Sequence, residues 1–231
     1  MEVGDAAYAE NLDVIRMSID NASRMFFFRK ASKSDRAVIE QVLVKKCYEL
    51  RTFRQSVLLG AYYAKLIERE TTPLIIDAGA NIGASTLWFA SNFPGSHVVA
   101  IEPDRGNCEL LRTNCGGLNY RLLEGAISSH AGYGFLHDPG GGEWSYQVRP
   151  NGDGHRVPLY SAAGIVADGK AAGMRPFLCK IDIEGGEAEL FRDHFSWVAE
   201  FPVIVIELHD WLFPGESNSA SFRRAISDLA G

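Results

Sequence analysis

The sequence predicts an α/β protein with a mostly parallel, twisted sheet and helices on both faces. Three observations carry that prediction. From Pro73 onward, apolar strand-like runs alternate with amphipathic helix-like segments, and βαβα alternation implies a parallel sheet covered on both sides. The run Leu74-Ile75-Ile76 ends in Asp77, Gly79 and Gly83 before a helix-like segment, which reads as strand, tight turn and helix N-terminus. Two further strand-like runs end in carboxylates and glycines, at Asp182-Ile183-Glu184-Gly185-Gly186 and at Glu207-Leu208-His209.

In order, strands are predicted near 74–77, 97–102, 120–127, 177–183 and 202–208, and helices near 83–92, 104–115, 187–193 and 219–230. Residues 131–160 interrupt the rhythm with Gly140-Gly141-Gly142 and Asn151-Gly152-Asp153-Gly154. Short β-like runs at 133–137 and 144–149 suggest a hairpin insert, and an insert of this length is a candidate for substrate contact. Residues 1–72 read as an N-terminal helical cap and 73–231 as the main domain. Within the cap, residues 5–20 are the weaker helix. Val38, Ile39, Val42, Leu43, Cys47 and Leu50 recur at helical spacing, with Ser34 as the N-cap. Phe53, Val57, Leu58, Ala61, Tyr62 and Leu66 form a second such pattern, which stops at Thr71-Thr72-Pro73. Phe26-Phe27-Phe28 reads as a buried staple of this cap, or as a wall of an acceptor site.

Composition narrows the function. The chain has 231 residues, 46% hydrophobic and 23% charged, and a formal charge of −6. These values suit a globular protein and leave no basic footprint for nucleic acid. No apolar run is long enough to span a membrane, and the acidic N-terminus lacks signal-peptide character, so a cytoplasmic protein is expected. The four cysteines lack C-x-x-C spacing. Cys47 and Cys179 sit in apolar patterns and read as core residues; Cys108 and Cys115 are candidates for reactive thiols.

The first turn points to a particular ligand chemistry. A dinucleotide turn reads G-x-G-x-x-G, whereas here Asn81 and Ala84 stand at the second and third glycine positions. An acid at the strand end also repels a diphosphate. It suits a ligand with a positive charge and free hydroxyls, and S-adenosylmethionine is such a ligand. The next strand, His97–Ile101, ends at Glu102, near the ~20-residue spacing at which a ribose-binding acid is expected. Gly125 and Ala126, with Glu124 beside them, are small enough to admit a flat ring. Alternation places Asp182 with Glu184, and Glu207 with His209, on one strand face each, and Lys180 shares the face of Asp182. Neighbouring strands would bring Asp182, Glu184, Glu207 and His209 to one carboxyl edge.

These motifs together resemble the FkbM family of S-adenosylmethionine-dependent methyltransferases, over roughly residues 50–215. The resemblance rests on Ile76-Asp77-Ala78-Gly79-Ala80-Asn81-Ile82-Gly83, Ile101-Glu102-Pro103-Asp104, Gly125-Ala126-Ile127-Ser128, Lys180-Ile181-Asp182-Ile183-Glu184-Gly185 and Ile206-Glu207-Leu208-His209. It implies a Rossmann-like class I methyltransferase fold with strand order 3-2-1-4-5, and methyl transfer, commonly to a hydroxyl of a natural product or sugar. Cofactor contacts are then expected at Asp77, Gly79, Ala80, Asn81 and Gly83, at Glu102 and Pro103, at Glu124, Gly125 and Ala126, and at Asp182. For catalysis, His209 is the candidate base, with Asp182 and Glu207 orienting it or the acceptor. The alternative is a divalent metal, Mg²⁺ or Mn²⁺, held by Asp182, Glu207 and His209; the metal-free base is the preferred reading. The family fold normally adds two strands as a hairpin after strand five, and the sequence shows no residues for them. Strand five would then be an open edge and a route to a homodimer. Two other functions stay open on the residues: a cofactor-binding module without turnover, and an NAD-dependent oxidoreductase.

Overall fold

The computed structural model describes residues 11–19, 22–138, 140, 146–149, 151–152, 154–210, 212, 215 and 217–230. The expected helix over 5–20 and the run 144–149 lie partly outside these residues, as do Gly141, Gly142 and Asp153.

The central sheet holds five parallel strands: β3 (Pro73–Ala78), β4 (His97–Glu102), β5 (Tyr120–Glu124), β10 (Arg175–Ile181) and β11 (Val203–Ile206). Their spatial order is β11-β10-β3-β4-β5, the 3-2-1-4-5 order expected, with the switch point between β3 and β10. Among the described residues β11 pairs only with β10.

Alternation along the strands sorts side chains into two core layers. Ile75, Val98, Ala100 and Leu178 face one layer with α3 (Ala84–Asn92) and α4 (Arg105–Asn114). Leu74, Ile76, Val99, Cys179 and Ile181 face the other, with α5 (Ala162–Ala171), α6 (Glu187–Leu190) and α7 (Ser219–Ala230). Cys108, Cys115 and Cys179 are buried and their thiols are held well above the usual range, chiefly by burial. Buried thiols in that state are inert, so Cys108 and Cys115 are packing residues.

The N-terminal segment departs from the helical expectation. Residues Leu12–Ile19 and Ala22–Arg29 form an antiparallel hairpin, β1 and β2. The Phe26-Phe27-Phe28 run explains it: alternation sends Phe26 and Phe28 into the first core layer, a period of two that no helix provides. Helix α1 (Lys33–Val38) continues as a π-helical turn (Ile39–Val44). Its cap is Ser32 rather than Ser34: the Ser32 Oγ accepts from the Asp35 N–H at 3.0 Å. The wider π turn ends the helix early and carries Cys47 out to solvent, against the expectation of a core cysteine. Helix α2 (Ser56–Glu68) follows, with Leu66 buried but Val57 and Leu58 exposed.

Two other differences have local causes. The expected strand 120–127 breaks at Gly125. Its N–H still donates to the Glu102 carbonyl at 3.0 Å, but the chain then leaves as β6 (Ala126–Ser128) for a second sheet. A Cβ on Gly125 would stand 2.4 Å from the Pro158 carbonyl oxygen, so only glycine fits the crossing. The second sheet, ordered β6-β9-β7-β8, joins β6 to the 131–160 insert, which supplies β7 (Gly132–His137), β8 (Gln147–Arg149) and β9 (His155–Ser161). The hairpin foreseen is the β7–β8 pair. Strand β9 and helix α5, which the glycine-rich pattern hid, complete the unit.

Candidate active site

A cavity of about 490 Å³ opens along the carboxyl ends of β3, β4, β5 and β10, where ligands bind in open α/β sheets. Gly79, Ala80, Asn81, Glu102, Pro103, Gly125 and Ala126 line one part of it. Asp182, Glu184 and Glu207 line the other, beside Tyr48 and Val42 of the N-terminal segment, while Tyr133 and Val148 come from the second sheet.

The turn after β3 is built by packing as well as by its opening to the cavity. Gly79 has φ +77°, and a Cβ there would lie 1.8 Å from the Asp182 carbonyl oxygen. Gly83 has φ +90° and faces Cys115 and Leu111. Asn81, in the left-handed region at φ +49°, donates its N–H to Glu102 Oε2 at 2.9 Å. Glu102 Oε1 accepts from the Asp104 N–H at 3.0 Å and from Asn107 Nδ2 at 3.2 Å. Burial pushes the Glu102 carboxyl up to about 7, against these three hydrogen bonds.

Asp77 is fully buried and does not line the cavity. Its Oδ2 accepts from Ser85 Oγ at 2.7 Å and Thr86 Oγ1 at 2.6 Å, both on α3. Its Oδ1 lies 3.3 Å from Lys180 Nζ. Lys180 also donates to the carbonyls of Ala78 at 3.2 Å and Gly79 at 2.5 Å. Burial lowers the Lys180 pKa, but Tyr48, Asp77 and Asp182 outweigh it, so the ammonium persists above the usual lysine range. Asp77 therefore reaches the cavity indirectly, through Lys180 and Ser85, which line it, and through the turn it braces. Gly83 and Glu124 also stand off the cavity wall; Glu124 pairs with Arg112 on α4.

At the other end four carboxylates surround one imidazole. Strand β10 ends at Ile181, and the loop after it, with Glu184 at φ +49°, brings Asp182 and Glu184 together by a turn rather than by strand alternation. His209 Nε2 lies 3.5 Å from Asp182, 3.7 Å from Glu184 and 3.9 Å from Glu207. His209 Nδ1 meets Glu187 Oε1 at 2.7 Å. Burial lowers the His209 pKa, but the hydrogen bond and charge of Glu187, with Glu184 and Asp182, raise it to about 9. Burial likewise pushes Glu184 up to about 7 and Glu207 above its ordinary value. His209 itself is buried behind the cavity wall. Sequence reasoning passed over Glu187. Its position on α6 directly after Gly185-Gly186, five residues from Asp182, was the available signal, but only the fold places it on His209.

Asp182, Glu207 and His209 each offer a ligand atom, all within 4.8 Å of one another. With Nδ1 taken by Glu187, Nε2 is the nitrogen turned toward the carboxylates, the usual outer-partner arrangement of a metal-binding histidine.

Among the described residues no helix is long and apolar enough to cross a membrane. No curated protein and no solved structure gives a significant match to the chain. The model of the methyltransferase FkbM domain matches residues 77–229, which takes in the turn after β3, Glu102 and the whole carboxylate cluster. The chain belongs to the FkbM methyltransferase family.

Proposed function

We propose that the protein is an S-adenosylmethionine-dependent O-methyltransferase acting on a hydroxyl of a small molecule. One observation carries the reading: a single cavity joins the Gly79–Asn81 turn and Glu102 to the carboxylates Asp182 and Glu207. The donor set suits the cofactor. Glu102 opens to the cavity with a carboxylate for ribose hydroxyls, and Gly125 and Ala126 leave a smooth wall for a flat ring. The Asn81 N–H is committed to Glu102 and is not offered to a pyrophosphate, which disfavours a dinucleotide.

When bound, the cofactor supplies an electrophilic methyl group on a sulfonium. The chain's own residues then position the acceptor, and orientation supplies much of the rate. Asp182 and Glu207 line the cavity and are the groups placed to accept the hydroxyl proton. His209, lying behind them, holds their negative charge and their spacing. Tyr48 and Val42 wall the acceptor end, and the second sheet closes the cavity over Gly125 and Ala126. The test is calorimetry with S-adenosylhomocysteine, NAD and ATP, followed by transfer of labelled methyl to a panel of hydroxylated acceptors. Binding of NAD in place of S-adenosylhomocysteine would refute the reading. Binding without transfer to any acceptor would favour a binding module.

A second reading is favoured by the His209 geometry. Asp182, Glu207 and His209 would hold Mg²⁺ or Mn²⁺, with Glu187 fixing the imidazole, and the metal would lower the pKa of the acceptor hydroxyl.

A further inference from the structure

The cofactor end of the cavity is tied to a part of the chain outside the matched family segment. Strand β2 reaches the two cofactor-facing loops through two asparagines on one face of α4, Asn107 and Asn114, two turns apart. Arg29, at the end of β2, is clamped by buried Asp35: its N–H and Nε meet Oδ2 at 2.8 and 2.9 Å, and its Nη2 meets Oδ1 at 2.6 Å. The same Nη2 donates to Asn107 Oδ1 at 2.7 Å. Asn107 Nδ2 then donates to Glu102 Oε1 at 3.2 Å. At the other asparagine, the Phe27 N–H donates to Asn114 Oδ1 at 2.7 Å, and Asn114 Nδ2 donates to the carbonyls of Phe27 at 3.0 Å and Ile82 at 2.8 Å. The Asn81–Glu102 hydrogen bond closes the ring.

We infer that Arg29, through Asn107, is a positioning residue for cofactor binding: the β1–β2 hairpin sets the orientation of the Glu102 carboxylate. The inference rests on the S-adenosylmethionine reading of the cavity. Three features make it more than packing. An amide cannot turn over without breaking both links, because Oδ1 accepts and Nδ2 donates. The arginine fork can serve Asp35 and Asn107 together, which a lysine ammonium does with far less geometric definition. Both ends are buried or half-buried, so water is a poor substitute.

The experiment uses the full chain and measures S-adenosylhomocysteine affinity by calorimetry and thermal stability side by side. Arg29→Lys keeps the charge against Asp35 but loses the second arm. Asn107→Ala removes the link and keeps the backbone cap at Asp104. Each is expected to weaken binding about tenfold, the scale of one hydrogen bond to a charged group, with thermal stability close to wild type. The double variant is expected to bind no worse than Asn107→Ala, since both substitutions break one chain. Wild-type affinity in either folded variant overturns the inference. So does a multiplicative loss in the double variant, or a loss that simply follows thermal stability. If the wild-type protein itself does not bind S-adenosylhomocysteine while folded, the cofactor reading falls and this positioning role with it.

Discussion

Lys180 and Asp77 stand opposite one another in the β10–β3 ladder, with Nζ 3.3 Å from Oδ1 and both side chains sealed from solvent. The pair joins the two strands on either side of the topological switch point. From it, Asp77 reaches to Ser85 and Thr86 on α3, and Lys180 to the carbonyls of Ala78 and Gly79 that open the turn after β3.

Removing one partner leaves a buried charge uncompensated. Lys180→Met should cost about 3–5 kcal/mol in unfolding free energy by urea titration. The double variant Asp77→Asn with Lys180→Met should recover a good part of that loss. A single variant as stable as wild type would show that the pair carries no structural weight.

Glu102 should make cofactor binding depend on pH. Burial raises its carboxyl to about 7, so below that pH it is protonated and would accept fewer hydrogen bonds from the ribose hydroxyls of the proposed cofactor. Affinity for S-adenosylhomocysteine should therefore fall as pH drops from 8 to 6. Glu102→Gln should bind about tenfold more weakly at pH 8, with a flat profile over that range. Calorimetry across the range reads both.

The His209–Glu187 contact should appear as a stability term with a defined window. The folded-state pKa of His209 is raised, from 6.5 to about 9. A raised pKa means the folded state holds its proton more tightly, so the contribution is complete below 6.5 and is lost as pH rises through about 9. Thermal melts of metal-free protein from pH 6 to 9.5 should show a decline that His209→Gln removes. Parallel wild-type and variant curves would refute this.

The two catalytic readings separate by metal removal. If Asp182 and Glu207 act as proton acceptors, Asp182→Asn should lower turnover by about 10²–10⁴, and chelation with EDTA should leave wild-type turnover intact. If activity disappears with EDTA and returns with Mg²⁺ or Mn²⁺, the metal reading replaces the first. In that case His209→Ala should weaken metal binding, followed by Mn²⁺ electron paramagnetic resonance.

Local sequence determined the sheet. The runs that become β3, β4 and β10 fold close to where they read, because they are buried on both faces and leave no other placement for such residues, while the run 120–127 divides at Gly125. The carboxyl edge of the site followed from the same pattern, whereas the order of the strands came from the family resemblance and is borne out by the sheet. Only the tertiary structure decided the rest. The 12–29 hairpin was hidden because Phe26-Phe27-Phe28 carries no polar alternation, and its period shows only once a core layer takes Phe26 and Phe28. Asp77 reads as a ligand contact at its strand end; it became a buried brace because Lys180, about a hundred residues later, lies across from it in the ladder. Gly79 reads as room for a ligand, whereas its nearest constraint is the Asp182 carbonyl. His209 reads as a free base, but it is buried against Glu187, whose hydrogen bond and charge, with the surrounding acids, raise its pKa to about 9. In each case the deciding force is a charge or a steric contact between segments distant in sequence, which a one-dimensional pattern cannot hold.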